Sequence, residues 1–238
     1  MSDLRRFFVK KIVSPLTIEG EEFYHAVNVL RIKENEEIIV CDNSGYEYIA
    51  KVDKINKKDV SATILEKRLS DTETSEYVTL ICGFLKGDKT ELVVQKAVEL
   101  GVKKIVIFNS KYVSSYMSDN KLNRLNKVSI ESAKQCGRAI APSIEYADTF
   151  EKALKFGESA TNKLFACEFA VSSEVDLSKI SGSTAIVVGS EGGFSKEESE
   201  LASSMGYKTV FLGKRILRAE TASIALVSII MHSLGELK

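Results

Sequence analysis

The feature that most constrains the fold is a change of hydrophobic period near residue 70. Before it, Tyr46, Tyr48, Ala50 and Val52 alternate with Gly45, Glu47, Ile49 and Lys51. A period of two marks a strand with one buried face. Short β elements at Arg5–Val9, Glu36–Asp42, Glu47–Asn56 and Asp59–Leu69 predict a small antiparallel barrel or sandwich, with Asp42-Asn43-Ser44-Gly45 as a turn that tolerates positive φ. After it, apolar runs at Tyr77–Leu85, Lys104–Asn109, Lys163–Cys167, Ala185–Gly189 and Thr209–Gly213 alternate with amphipathic stretches. That alternation predicts an α/β class with a mostly parallel sheet covered on both faces. Helices are expected over Asp88–Leu100, Asn120–Cys136 and Thr149–Phe156, from Ser195 onward, and at the C-terminus. Asp88 with Glu91, and Ser195 with Glu198, have the spacing of a capping box, and Gly101 stops the first helix. The polar run Ser70–Glu76 has no apolar residue. The predicted organisation is a β domain over 1–70, a linker over 71–76 and an α/β domain over 77–238.

Composition then removes function classes. With 44% hydrophobic and 28% charged residues, the chain has the balance of a soluble globular protein. Its longest apolar stretch, Ala222–Leu234, is broken by Ser223, Ser228, His232 and Ser233 and falls short of the ~20 residues that span a bilayer. The start, MSDLRRFFVKK, lacks the apolar core of a signal peptide, so the expectation is a cytoplasmic protein. There are two histidines, His25 and His232, and the cysteines Cys41, Cys82, Cys136 and Cys167 are far apart, so no metal site is expected and the thiols read as buried and free. No G-x-S-x-G presents a nucleophilic serine. Lys+Arg and Asp+Glu both number 33, so any signal for a nucleic-acid partner must be local.

In an open parallel sheet, ligands bind beyond the carboxyl ends of strands. Three loops occupy such positions: Cys167-Glu168, Gly189-Ser190-Glu191-Gly192-Gly193, and Gly213-Lys214-Arg215. Adjacent glycines expose main-chain amides to a ligand, though a Gly-Gly pair equally serves as a tight turn into the Ser195 helix. No G-x-G-x-x-G follows a strand, and Gly83–Thr90 only superficially resembles a P-loop, because Asp88 interrupts the Gly-Lys pair. Glu191 would repel a polyphosphate; a carboxylate suits hydroxyls, amino groups or a cationic ligand such as a sulfonium.

Lys214, Arg215 and Arg218 follow the last strand, ahead of Glu220-Thr221, where Thr221 is a plausible N-cap. A short basic run is ordinarily a solvated surface; this one stands at the same end of the sheet as the glycine loop. The final helix carries Ile224, Leu226, Val227, Ile229, Ile230 and Met231 on nearly every side, which requires burial in the core or against a second subunit. At the other end of the chain, Arg5, Arg6, Lys10 and Lys11 surround Phe7 and Phe8. That combination serves phosphate contact and base stacking, or a first strand with phenylalanine inside and arginine wet.

Taken in order, RRFFV, HAVNVLRIKENEEIIVCDNSGYEYIAKV, KGDKTELVVQKAVELGVKKI, ESAKQCGRAIAPSI, VVGSEGGFSKEE and LGKRILRAETAS resemble the RsmE-type family over nearly the whole chain. The resemblance implies S-adenosylmethionine-dependent methylation of N3 of a specific uridine in 16S ribosomal RNA of the small subunit. It also implies a SPOUT-type α/β domain with a C-terminal trefoil knot behind a smaller PUA-like β-barrel that binds RNA. Periodicity cannot show a knot, and general topology rules argue against one. By position, the resemblance implies that Leu164, Phe165, Ala166, Cys167 and Glu168, then Val188, Gly189, Ser190, Glu191, Gly192 and Gly193, then Leu212, Gly213, Ile216, Leu217 and Thr221 hold the cofactor. A homodimer through the C-terminal helix is implied as well. Ser190 stands where many members have proline, and Ala219 where threonine is common.

Methylating N3 requires alignment, exclusion of water and stabilisation of charge spreading onto the uracil oxygens. Arg218 is the leading candidate for contacting substrate, and Glu220, water or solvent takes the proton. Arg5, Arg6 and Arg138, with Lys214 and Arg215, are the candidates for holding RNA. Two other readings remain: a noncatalytic RNA-binding ribosome assembly factor, and a methyltransferase acting on a ribose 2′-hydroxyl.

Overall fold

The protein is described from a computed structural model covering residues 4–111, 117–167 and 172–237. The chain forms two compact units, one of residues 1–73 with 133–141 and one of residues 74–132 with 142–238.

The first unit is built from β1 (Arg6–Phe8), β2 (Leu16–Glu19), a short helix α1 (Gly20–Tyr24) continued by a wider turn over His25–Val29, β3 (Glu37–Cys41), β4 (Tyr46–Ile55) and β5 (Asp59–Leu69). The strands form one five-stranded sheet in the order β1-β3-β4-β5-β2. Alternation does its expected work: Ala50 and Val52 of β4 face Val60 and Ala62 of β5, Ile38 and Val40 of β3, and Phe7 of β1 in one apolar core. Register shifts in β4 at Ile49/Ala50 and Val52/Lys54 let the long β4–β5 ribbon curl. The sheet is not purely antiparallel. β1 pairs with β3 in parallel, which the long segment between them permits. β2 and α1 were absent from the sequence expectation because each is too short to show a period.

Segment 133–141 groups with this unit although the sequence reading placed it in the second domain. Chain-distant polar contacts account for it. The Glu73 carboxylate accepts from the main-chain N–H groups of Ala139 and Ile140 at 3.1 and 2.9 Å and pairs with Arg138 at 2.9 Å. Lys134 pairs with Glu22 at 2.6 Å, and Asn43 Oδ1 accepts from the Ala141 N–H.

The second unit contains β6 (Val78–Gly83), α2 (Lys89–Glu99), β7 (Lys104–Phe108), α3 (Asp119–Cys136, its end in the first unit), β8 (Ser143–Ala147), α4 (Phe150–Lys155), β9 (Asn162–Ala166), β10 (Thr184–Val188), α5 (Lys196–Ser204), β11 (Lys208–Val210) and α6 (Ala219–Ser233). Six strands form a wholly parallel sheet in the order β11-β9-β10-β6-β7-β8. The central strands β6 and β10 are buried along their entire length, as their unbroken apolar runs require. On one face, Phe108, Phe150, Phe165 and Phe194 pack with ring centroids 4.4–6.5 Å apart. On the other, α6 lies over β6 and β10 beside α2, burying Leu226, Val227, Ile230 and Met231. β8 escaped the sequence reading because an edge strand reading SIEYA has no continuous apolar run.

The helix starts differ in one informative way. Ser195 and Glu198 form the expected reciprocal capping box of α5. Asp88 makes no side-chain cap to α2; the Thr90 hydroxyl instead accepts from Leu85 N–H and donates to Leu85 O. Thr221 is not a cap either, since α6 begins two residues earlier with Arg218 in the capping position.

Candidate active site

The carboxyl ends of β9, β10 and β11 open onto a single cavity of about 640 Å³ within the second unit. Ala166 and Cys167 come from the end of β9, Val188–Gly193 from the loop after β10, and Val210–Arg218 from β11 and the loop after it. Ala219 and Ala222 of α6 and Lys89 of α2 complete the wall. Parallel strands deliver all three loops to the same edge of the sheet, and that brings together segments up to about fifty residues apart in sequence.

Most of the residues expected from sequence meet here. Ala166, Cys167, Val188, Gly189, Ser190, Glu191, Gly192, Gly193, Leu212, Gly213, Ile216 and Leu217 line the cavity, as do Lys214, Arg215 and Arg218. Leu164 and Phe165 do not; both are buried in the sheet, and Phe165 belongs to the aromatic cluster. Thr221 is exposed and outside the lining. Glu220, on α6 between the lining residues Ala219 and Ala222, is not itself in the lining, and its Oε1 is 3.8 Å from the lining residue Lys89. Glu168 falls outside the described residues. Lys89, Val210, Phe211 and Ala222 were missed as cavity residues. Lys89 could have been found by applying the strand-end rule to β6, because it follows that strand's loop.

Two glycines explain the shape. The end of β6 passes so close to the glycine loop that a Cβ on Gly83 would lie 2.5 Å from the Ser190 amide nitrogen. No side chain fits between them. Gly213, at φ +100, has open space where a Cβ would project, so a ligand can lie against the main chain. The Ser190 hydroxyl, 2.6 Å from that of Ser110, ties the loop to the end of β7.

The cavity carries charges of both signs. The Glu191 carboxylate accepts from Lys86 N–H at 3.1 Å and from the Lys89 ammonium at 3.3 Å, and Lys89 is also 3.8 Å from Glu220. Burial alone would raise the Glu191 carboxyl; the amides of Lys86 and Glu191 together with Lys89 hold it below the usual carboxylate range. Glu220 Oε2 is buried without a hydrogen-bond partner among the described residues. In the loop after β11, Lys214, Arg215 and Arg218 line the same cavity and are exposed, and Ile216 is 95% exposed. Beneath α6, burial pushes the Cys82 thiol up to about 12, so it stays protonated and is no nucleophile. Two carboxylates sharing one ammonium favour hydroxyls or a cation, and disfavour a polyphosphate.

The expected RNA-contact arginines of the first unit are placed differently. The Arg6 side chain is 9% exposed, with its guanidinium 2.7 Å from Glu47 and 3.1 Å from Cys41 Sγ. Arg138 is 3% exposed in its pair with Glu73. Both serve the interior of the unit and present no open charge; each found a buried carboxylate that local sequence could not reveal. Arg5 remains partly exposed beside Glu36 at 2.9 Å.

A family profile described as an RNA methyltransferase domain matches residues 72–231, and one described as an RNA methyltransferase PUA domain matches residues 18–65. The ribosomal RNA small subunit methyltransferase E of Mesomycoplasma hyopneumoniae is 33% identical over 94% of this chain and 97% of its own. The chain belongs to the RNA methyltransferase E family. The family's Bacillus subtilis member is 31% identical over 91% of this chain and 89% of its own. Among solved structures, the family member from Neisseria gonorrhoeae, bound to S-adenosyl methionine, superposes with a TM-score of 0.87 at 29% identity, covering 97% of this chain and 98% of its own. As a member of this methyltransferase E family, the protein carries a mixed α/β fold with a PUA-like curled β-sheet at its N-terminus and a parallel sheet consistent with the knotted SPOUT class.

Proposed function

We propose that the protein transfers the methyl group of S-adenosylmethionine to N3 of a specific uridine in 16S ribosomal RNA of the small subunit, in the cytoplasm. The observation that carries the reading is the cavity at the ends of β9, β10 and β11, walled by main chain at Gly189–Gly193 and Gly213 and carrying the Glu191 carboxylate together with Lys89, Lys214, Arg215 and Arg218. The donor set fits the cofactor. Ala166, Val188, Leu212 and Leu217 offer apolar surface to a flat base, loop amides offer hydrogen bonds, and the Glu191 carboxylate suits ribose hydroxyls and the attraction of a sulfonium. A solved relative bound to S-adenosyl methionine supports the same assignment.

Once bound, the cofactor supplies an electrophilic methyl group; the chain supplies alignment, charge and a proton acceptor. Arg218, exposed at the cavity mouth and permanently charged, is assigned to the negative charge developing on the uracil oxygens or to a flanking phosphate. Glu220 is assigned as acceptor of the imide proton. Lys214 and Arg215 are assigned to the RNA backbone, with Arg5 of the β unit, residues 1–70, in the same role. Ile229, 40% exposed on the apolar helix α6, supports a homodimer through that helix.

The test is methyl transfer from labelled S-adenosylmethionine to small subunits and to free 16S RNA from a strain lacking the enzyme, followed by nucleoside identification. Label in 3-methyluridine at one position is expected. Label on a ribose would establish the 2′-O reading, and no transfer to either substrate would leave a noncatalytic assembly factor. Sedimentation of the wild type and Ile229→Glu checks the dimer.

A further inference from the structure

Lys89 is a charged cavity residue without a role in the chemistry assigned above, and its neighbours define one. Its ammonium is 3.3 Å from Glu191 Oε1 and 3.8 Å from Glu220 Oε1. We propose that Lys89 is a positioning residue for methyl transfer, holding Glu220 so that its second carboxylate oxygen is free to take the substrate's proton. The proposal rests on the methyltransferase reading.

The two carboxylates are held unequally. Glu191 is fixed twice, by the Lys86 amide and by Lys89, and serves as the anchor that sets the ammonium in place. At 3.8 Å, Glu220 is beyond hydrogen-bond distance, so Lys89 attracts it by charge and does not consume its acceptor capacity. Glu220 Oε2 is buried without a partner among the described residues, a costly condition unless a ligand brings the missing donor. An imide N–H is such a donor. The neighbouring polar groups are engaged with one another: Ser223 Oγ donates to Ala219 O and lies 3.7 Å from the Cys82 sulfur, whose thiol stays protonated. With Lys89 removed, two like charges would face one another in the wall, and the pair would separate.

The step balances. The N3–H bond breaks and its proton goes to Glu220 Oε2. The N3 electron pair forms the bond to carbon, the sulfur–methyl bond breaks with its pair on sulfur, and the sulfonium becomes a neutral thioether. Glu220 then returns the proton to solvent.

The test compares wild type, K89Q, K89R, E220Q and K89Q/E220Q in single-turnover methyl transfer to small subunits at saturating S-adenosylmethionine. Cofactor affinity by calorimetry and melting temperature are measured on the same preparations. K89Q and E220Q are each expected to lose about 10²-fold or more in rate at saturation, the range of a lost proton acceptor. The double variant is expected to be no worse than E220Q, because the residues act as a unit. K89R should restore most of the rate; K89Q weakens cofactor affinity, because Glu191 loses one of its two partners, but its rate deficit persists at saturating cofactor, and melting temperature stays near wild type throughout. A K89Q rate equal to wild type, a loss explained wholly by weaker cofactor binding, or additive losses in the double variant would each overturn the role of Lys89. A wild type that binds cofactor and methylates nothing overturns the methyltransferase reading and this proposal with it, whereas failure of the variants alone touches only Lys89.

Discussion

Arg6 Nη2 and Glu47 Oε1 lie 2.7 Å apart with side chains only 9% and 4% exposed, and Arg68 closes on the other Glu47 oxygen from the half-exposed side. A carboxylate held between two guanidinium groups organises the face of the β sheet that is opposite its apolar core. Removing it strands a buried cation. Glu47→Ala is expected to cost about 3–5 kcal/mol in chemical denaturation, whereas Arg68→Ala costs about 1 kcal/mol or less, since water replaces the lost partner.

The same pair sets an acid limit. Burial would raise the Glu47 carboxyl, but its hydrogen bonds from Arg6 and Arg68 outweigh that and hold it below the ordinary 4.5. A carboxyl depressed on folding contributes stability that is complete above the unfolded value and is lost as pH falls through the folded one. Stability of the wild type is therefore expected to decline from pH 4.5 downward. Glu47→Gln should flatten that decline. An equally steep decline in the variant would move the acid sensitivity elsewhere.

Gly83→Ala tests the close approach of β6 to the glycine loop. The added Cβ would meet the Ser190 nitrogen at 2.5 Å and the Gly189 carbonyl carbon at 2.9 Å, both main chain. The loop must move, with an expected loss of about 1–3 kcal/mol in stability and a cofactor affinity at least about tenfold weaker by calorimetry. Gly87→Ala is the control. It has positive φ and open space, so it is expected to cost about 1–2 kcal/mol in backbone strain and leave cofactor affinity intact.

Ile216 is 95% exposed, so its side chain adds nothing to the folded state. Ile216→Ser should leave stability within about 0.5 kcal/mol of wild type. If the cofactor covers this side chain, affinity falls by roughly 10- to 100-fold, the value of burying one isoleucine. An unchanged affinity removes Ile216 from the cofactor site.

Arg218→Ala is expected to lower the rate at saturating cofactor by about 10²-fold while cofactor affinity holds, and Arg218→Lys to recover part of the loss. Retention of the wild-type rate in Arg218→Ala would assign the charge stabilisation to another group.

Local pattern predicted the fold well where the signal is short-range. The strand runs of β6, β7, β9 and β10, the capping box at Ser195, the Gly101 stop and the three loops ending β9, β10 and β11 follow from period, cap chemistry and the strand-end rule. The pattern failed where partners are far apart in the chain. β8 owes its state to pairing with β7 at the sheet edge, and β1, expected as a strand, pairs in parallel with β3 where an antiparallel arrangement was expected. Segment 133–141 joins the first unit through Glu73 and Glu22.

The candidate site divides in the same way. Hydrophobic period and glycine placement determined, from sequence alone, that an α/β sheet would carry its ligand loops at one edge, because those properties are written in neighbouring residues. Which arginines are wet, and which lysine stands between Glu191 and Glu220, were decided by tertiary structure. A charged side chain is equally polar in every local context, and only the approach of a carboxylate from a distant element settles whether it is buried in an ion pair or left for a ligand.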